Sequence, residues 1–143
     1  MKRHLITISG LAVLGLLATA TPAAAGPSRF CGALIPDGFS VVQGAYGGGS
    51  EHMASRTFLD DVSLYVKDTR ADGHHVRIRL LTRRDDGTTH FWPWHAVYSG
   101  SGTSNSWSTT ATDSGGIRLI QHEVAVFEGD TRLGTCVTEG YGS

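Results

Sequence analysis

Apolar and polar positions alternate most clearly over residues 72–99, DGHHVRIRLLTRRDDGTTHFWPWHAVYS. Val76, Ile78, Leu80 and Thr82 interleave with His75, Arg77, Arg79, Leu81 and Arg83, the two-residue period of a half-buried strand. Asp86-Gly87 then predicts a tight hairpin turn, since both residue types accept positive φ, and a second strand follows from Phe91 to Tyr98. A two-residue turn fixes the register. Arg83 faces His90, Leu81 faces Trp92, Arg79 faces Trp94, Arg77 faces Ala96 and His75 faces Tyr98. Opposed residues share a face of the sheet. One face then carries His75, Arg77, Arg79, Leu81, Arg83, His90, Trp92, Trp94 and Tyr98. The other carries Val76, Ile78, Leu80, Thr82, Phe91, His95 and Val97 and reads as core. Pro93 cannot donate to a ladder, so its strand is an edge or is bulged there. A bulge would exchange the faces of Phe91 and Trp92 relative to Trp94.

The same alternation runs through Val62, Leu64 and Val66 in SRTFLDDVSLYVKD, residues 55–68. These positions are expected to pair antiparallel with Val76–Leu80 across the turn DTRADG. Upstream, Pro36-Asp37-Gly38 is a turn and Phe39–Tyr46 a short strand, which Gly47-Gly48-Gly49 breaks into a flexible loop. That glycine run is no phosphate cradle, because it lacks the Gly-Lys-Ser/Thr ending and a following helix. Downstream come a polar loop, SGSGTSNS (Ser99–Ser106), a Thr-rich strand at Trp107–Thr112, a turn at Asp113–Gly116 and an apolar run at Ile117–Glu128. Helical spacing exists over Ile117–Gln121, but the β-branched content and flanking glycines favour strand. Gly129-Asp130 closes a hairpin into Thr131–Thr138, and Glu139–Ser143 reads as a loose tail. About seven short strands at roughly 10-residue spacing, with no convincing helix, predict an all-β antiparallel fold. The candidates are a β-sandwich, with an immunoglobulin-like arrangement among its versions, and a small barrel.

The ends of the chain add a compartment. Residues 1–25 read as a secretory signal peptide, with Lys2, Arg3 and His4, then the apolar run Leu5–Leu17, then Ala23-Ala24-Ala25 before Gly26. The apolar run is short for a bilayer span. Export permits a disulfide, and Cys31 and Cys136, near the two ends of the mature chain, are expected to form it. On a chain-entropy model a loop of about 100 residues makes such a bond worth roughly 4–5 kcal/mol. Trp92 and Trp94 between two cysteines give a superficial likeness to an immunoglobulin domain, but these cysteines lie too near the ends to join two central strands. Residues 26–143 have the size of one domain. Removing Lys2 and Arg3 from the 12 basic residues leaves 10 against 13 acidic ones, a net charge of −3 with His neutral. That balance argues against nucleic acid as a partner. No second apolar segment is long enough to cross a membrane, so none is expected to hold the chain there after leader removal.

Candidate chemistry is sparse. His122-Glu123 lacks the second histidine of a zinc-protease helix, and neighbouring Asp60-Asp61 would point to opposite faces of a strand, so by themselves they make no glycosidase pair. There is no nucleophile elbow among the serines. No metal and no cofactor is expected. What stands out is the basic-aromatic face, represented by His75, Arg77, Arg79, Trp92, Trp94 and Tyr98. Aromatic rings and arginines dominate contact surfaces, and each cation–π pair adds about 0.5–2 kcal/mol. These residues suggest a secreted, non-catalytic domain that binds an extracellular protein or carbohydrate. An inhibitor of an extracellular enzyme is one version, with Ser99–Ser106 as its exposed loop. Two readings compete. The tryptophans could simply pack under arginine stems, or the chain could be a small secreted hydrolase with His90, His95 or His122 as general base.

Overall fold

The structure, a computed structural model, describes residues 26–142. The leader expected over residues 1–25 lies outside the described residues. Eleven strands follow in order: β1 (Arg29–Asp37), β2 (Ser40–Ser50), β3 (Met53–Ser55), β4 (Phe58–Asp68), β5 (His75–Arg83), β6 (Thr89–Phe91), β7 (His95–Val97), β8 (Ser104–Thr112), β9 (Leu119–Glu128), β10 (Thr131–Val137) and β11 (Tyr141–Gly142). They form two antiparallel sheets, one of five strands and one of six, that do not close into a barrel. This is the expected all-β sandwich. The strand number exceeds the expected seven partly because single strand paths are interrupted. In the six-stranded sheet, β5 pairs β9 along one edge and β6 and β7 in succession along the other. In the five-stranded sheet, β4 pairs β8 along one edge and β2 and β3 along the other.

The inward rows of the two sheets make the core. Val62, Leu64 and Val66 of β4 face Val76, Ile78 and Leu80 of β5, with Ile120, Val124 and Val126 of β9 beside them, and all are buried. Each fully buried aliphatic side chain stabilises by about 1.5–3 kcal/mol. The expected pairing of Val62–Val66 with Val76–Leu80 is therefore corrected. These two rows meet face to face across the core, and Asp68 to Gly73 carries the chain from one sheet to the other. Alternation alone cannot separate the two arrangements, because both bury the same residues.

Three further expectations change. Gly47, Gly48 and Gly49 form no loop but the buried end of β2. A Cβ at Gly48 would collide with the Arg29 carbonyl, and one at Gly49 with the Ser63 carbonyl, so glycine is what lets these backbones approach. The tail is not loose: Tyr141 and Gly142 pair with Ile120 and Leu119. Residues 29–37, where only the turn at Pro36-Asp37-Gly38 was expected, form β1 along β2. The disulfide joins Cys31 of β1 to Cys136 of β10, with Cα atoms 6.1 Å apart. It therefore ties an edge strand of one sheet to an edge strand of the other.

Candidate functional site

The register of β5 against its hairpin partner decides which side chains share the outward face. Asp85, Asp86 and Gly87 form a three-residue loop, closed by Arg84 N–H donating to Thr88 O (2.8 Å) and Gly87 N–H to Arg84 O (3.0 Å). A two-residue turn of the expected kind would need positive φ at Asp86, but only Gly87 adopts it (φ 85°). Asp86 instead accepts from Thr88 N–H (2.8 Å) and Oγ1 (2.7 Å). Near the turn the pairs become Arg83–Thr89, Thr82–His90 and Leu81–Phe91, not Arg83–His90 and Leu81–Trp92. The ladder breaks over Trp92–Trp94 and resumes as Ile78–His95, Arg77–Ala96 and Val76–Val97. One extra residue is absorbed at Pro93, and the slip at the turn is undone. Arg77 thus faces Ala96 as expected.

The consequence is an exchange. Phe91, expected in the core, points outward and is 55 % exposed. Trp92, expected on the outward face, packs against the core and donates Nε1–H to the buried Thr82 Oγ1 at 3.1 Å. The other five predicted residues, His75, Arg77, Arg79, Trp94 and Tyr98, do come together. β9 contributes the rest, because His75 pairs with Phe127, Arg77 with Ala125 and Arg79 with Glu123.

These residues stack into a continuous ladder. Tyr98 lies 4.6 Å from His75, and His75 lies 5.9 Å from Phe127. Phe127 meets the edge of Trp94 at 5.5 Å and carries the Arg77 guanidinium at 4.2 Å. The Arg79 guanidinium lies 4.2 Å over Trp94 and 4.5 Å over Phe91. Phe127, Trp94 and Phe91 therefore each carry a cation on one face, and Phe127 is buried. Tyr98, at 70 %, and Phe91 remain exposed at the two ends.

The face is also less basic than its arginines imply. Glu123 is buried and accepts from Arg79 Nε–H (2.7 Å), Arg132 Nη1–H (2.6 Å) and Thr135 Oγ1–H (3.2 Å). Arg77 donates to Gly129 O (3.0 Å) and Asp130 Oδ1 (3.2 Å). His75 Nε2 accepts from Arg77 Nε–H at 2.9 Å. Burial, then the Arg77 charge, hold the His75 imidazole below its usual range, which favours the neutral form that keeps that acceptor. Phe127, Glu123, Asp130 and Arg132 were missed by sequence reasoning. The signal was there: with β9 as a strand, Leu119, Gln121, Glu123, Ala125 and Phe127 alternate onto one face.

The histidines of the hydrolase reading are separated. His122 is fully buried, with Nε2 3.3 Å from Glu51 Oε2, and Arg29 binds the other Glu51 oxygen. Burial pushes the Glu51 carboxyl up, but His122 and Arg29 outweigh it and leave it lowered. His95 packs on Trp107 (4.9 Å) beside a cleft of about 290 Å³ between β8 and the broken β6–β7 edge. His90 stacks on Trp92 (4.5 Å), with Nδ1 2.7 Å from Asp113 Oδ2. Arg84 Nε–H (2.9 Å) and Gly115 N–H (3.0 Å) also donate to Asp113. Burial opposes ionisation of Asp113, yet these donors draw its carboxyl down to about 2. Among the described residues no hydroxyl or thiol hydrogen-bonds His90, so this histidine–carboxylate pair ties the hairpin to the loop after β8 without an adjacent nucleophile. Of the expected Ser99–Ser106 loop, Ser104–Ser106 belong to β8 and the residues before them form a short tied turn: Asp68 N–H donates to Thr103 O and Gly102 N–H to Asp68 O, both at 2.9 Å.

No protein-family model matches the chain, and no curated protein matches it in sequence.

Proposed function

We propose that the chain is an exported, non-catalytic domain that binds a protein partner through the outward face of its six-stranded sheet. Export is supported by the leader pattern of residues 1–25 and by the Cys31–Cys136 bond. The observation that carries the binding reading is the ladder from Tyr98 through His75, Phe127, Trp94 and Arg79 to Phe91, with exposed rings at both ends. Rigid aromatic and arginine side chains already held in place lose little entropy on contact, and these residue types dominate contact hot spots. Between a protein and a carbohydrate, the geometry favours the protein. A sugar ring stacks on a bare aromatic face, and here Arg77 and Arg79 lie over the rings of Phe127, Trp94 and Phe91.

The test uses residues 26–143, oxidised and immobilised, beside a Phe91→Ser/Tyr98→Ser double variant. Both are offered secreted proteins and soluble polysaccharides, and any retained species is purified for affinity measurement. A protein that binds the native domain at least tenfold more tightly than the variant is the expected result. Equal affinity for both, or a polysaccharide as the species retained through this face, would overturn the reading.

A further inference from the structure

Seven of the nine arginines among the described residues pair with a carboxylate. Arg29 meets Glu51, Arg56 meets Asp85, Arg70 meets Asp37, Arg77 meets Asp130, Arg84 meets Asp113, and Arg79 and Arg132 share Glu123. Arg83 and Arg118 have no carboxylate partner among the described residues, and they are neighbours. Arg118 N–H donates to Arg83 O at 2.8 Å. Both residues line one hollow of about 480 Å³ at the end of the sandwich, with Gly87, Leu119 and Gly142 as its other walls.

Two guanidiniums sharing a hollow repel each other unless an anion lies between them. The other seven each reach a carboxylate, with Glu123 serving two, so leaving two together without an offsetting charge among the described residues is a specific arrangement. Both are held by β5: Arg83 ends that strand, and the Arg118 backbone is bonded to it. The acidic residues of the two adjoining turns are directed elsewhere. Asp85 bonds Arg56 at 2.6 Å, Asp86 caps the turn through Thr88, and Asp113 is enclosed by Arg84 and His90. Counting Arg56, Arg83, Arg84 and Arg118 against Asp85, Asp86 and Asp113 leaves this end one positive charge in excess with His90 neutral. Gly87 and Gly142 place no side chain in the opening, so a group attached to a larger molecule can reach the forks. Planar guanidiniums bind tetrahedral oxyanions through paired N–H groups.

We infer that Arg83 and Arg118 form a subsite for a phosphate or sulfate group carried on a larger molecule. Because Arg83 projects from the same side of β5 as Arg79, the subsite lies beyond the Phe91 end of the ladder. It stands whether or not the ladder itself binds a protein.

Its test is a titration of the nitrogen-labelled mature domain with inorganic phosphate and, separately, with sulfate, chloride holding ionic strength constant. Saturable shifts at the Nε–H groups of Arg83 and Arg118, absent with chloride, are expected for either ion. Comparison of the two ions then distinguishes phosphate from sulfate as the source. The Arg83→Gln/Arg118→Gln variant should bind at least about tenfold more weakly, since two charged contacts are lost, while its Tm stays within about 2 °C of native because both positions are exposed. Non-saturating shifts, shifts spread evenly over all arginines, or unchanged affinity in the double variant would overturn the inference.

Discussion

Two pairs of arginines belong to the six-stranded sheet or its margin, and the fold treats them differently. Arg77 and Arg79 sit at its centre, each held over an aromatic ring and bonded to an acidic side chain. Arg83 and Arg118 sit at its end, with neither a ring nor a carboxylate partner among the described residues. The central pair contributes order. Its charges are offset, and its planar groups fix the rings that would form a contact surface. The end pair contributes field, because an unpaired guanidinium near solvent attracts anions over roughly a Debye length of about 8–10 Å. Arginine content alone therefore does not measure how basic a face is. The position of the acidic residues does.

The central arginines depend most on Glu123. Glu123→Ala leaves Arg79 and Arg132 without their shared carboxylate on a buried floor, and should cost about 3 kcal/mol in denaturant unfolding. A loss under ~1 kcal/mol would mean the central arginines do not depend on it. Arg79→Ala removes the cation between Trp94 and Phe91 and one donor to Glu123, and is expected to cost about 2 kcal/mol. Arg79→Lys keeps the charge but not the plane and should recover only part of that in the same measurement.

Acid sharpens the contrast next. The His75 imidazole is held below its ordinary value first by burial and then by Arg77. The folded state therefore takes up a proton less readily than the unfolded chain. Its contribution is complete above an unfolded pKa of about 6.5 and is lost as pH falls through the lower folded value. Thermal unfolding followed from about pH 7.5 to pH 5 should show a decline that His75→Phe reduces, whereas Arg83→Gln/Arg118→Gln leaves the slope unchanged. The smallest effect belongs to the end pair itself. Replacing both with Gln should move stability by no more than about 0.5 kcal/mol, and a larger loss would show that they carry structural partners after all.

Much of this arrangement could be read from the chain. Alternation in residues 75–83, the β-rich patterning and the cysteine positions gave the all-β class, the core rows of β4 and β5 and the disulfide. Five of six face residues were legible because their spacing on β5 and β7 survives the irregularity at Pro93. Trp92 was misplaced for a local reason: the turn takes three residues, since Gly87 alone supplies the positive φ. Pro93 then absorbs the slip, so only His90, Phe91 and Trp92 change sides. Glu123 and Phe127 were legible as sharing one face of their own strand, but not as neighbours of Arg79 and His75, for a non-local reason. Strand neighbours distant in sequence are set by which sheet each strand joins, and alternation does not encode that. The glycine run of β2 misled for a third reason, because its residues serve close backbone approach inside a strand, a use composition does not distinguish from a loop.

The central claim is that the outward face is ordered in advance by guanidiniums bonded to Glu123 and Asp130 and stacked on aromatic rings. The most direct measurement is hydrogen exchange at the arginine Nε–H groups of the folded, oxidised domain by nuclear magnetic resonance. The account predicts slow exchange and ring-shifted resonances for Arg77 and Arg79, with Arg83 and Arg118 exchanging near the rate of free arginine. Uniformly fast exchange, or protection of Arg83 and Arg118 equal to that of Arg79, would contradict it.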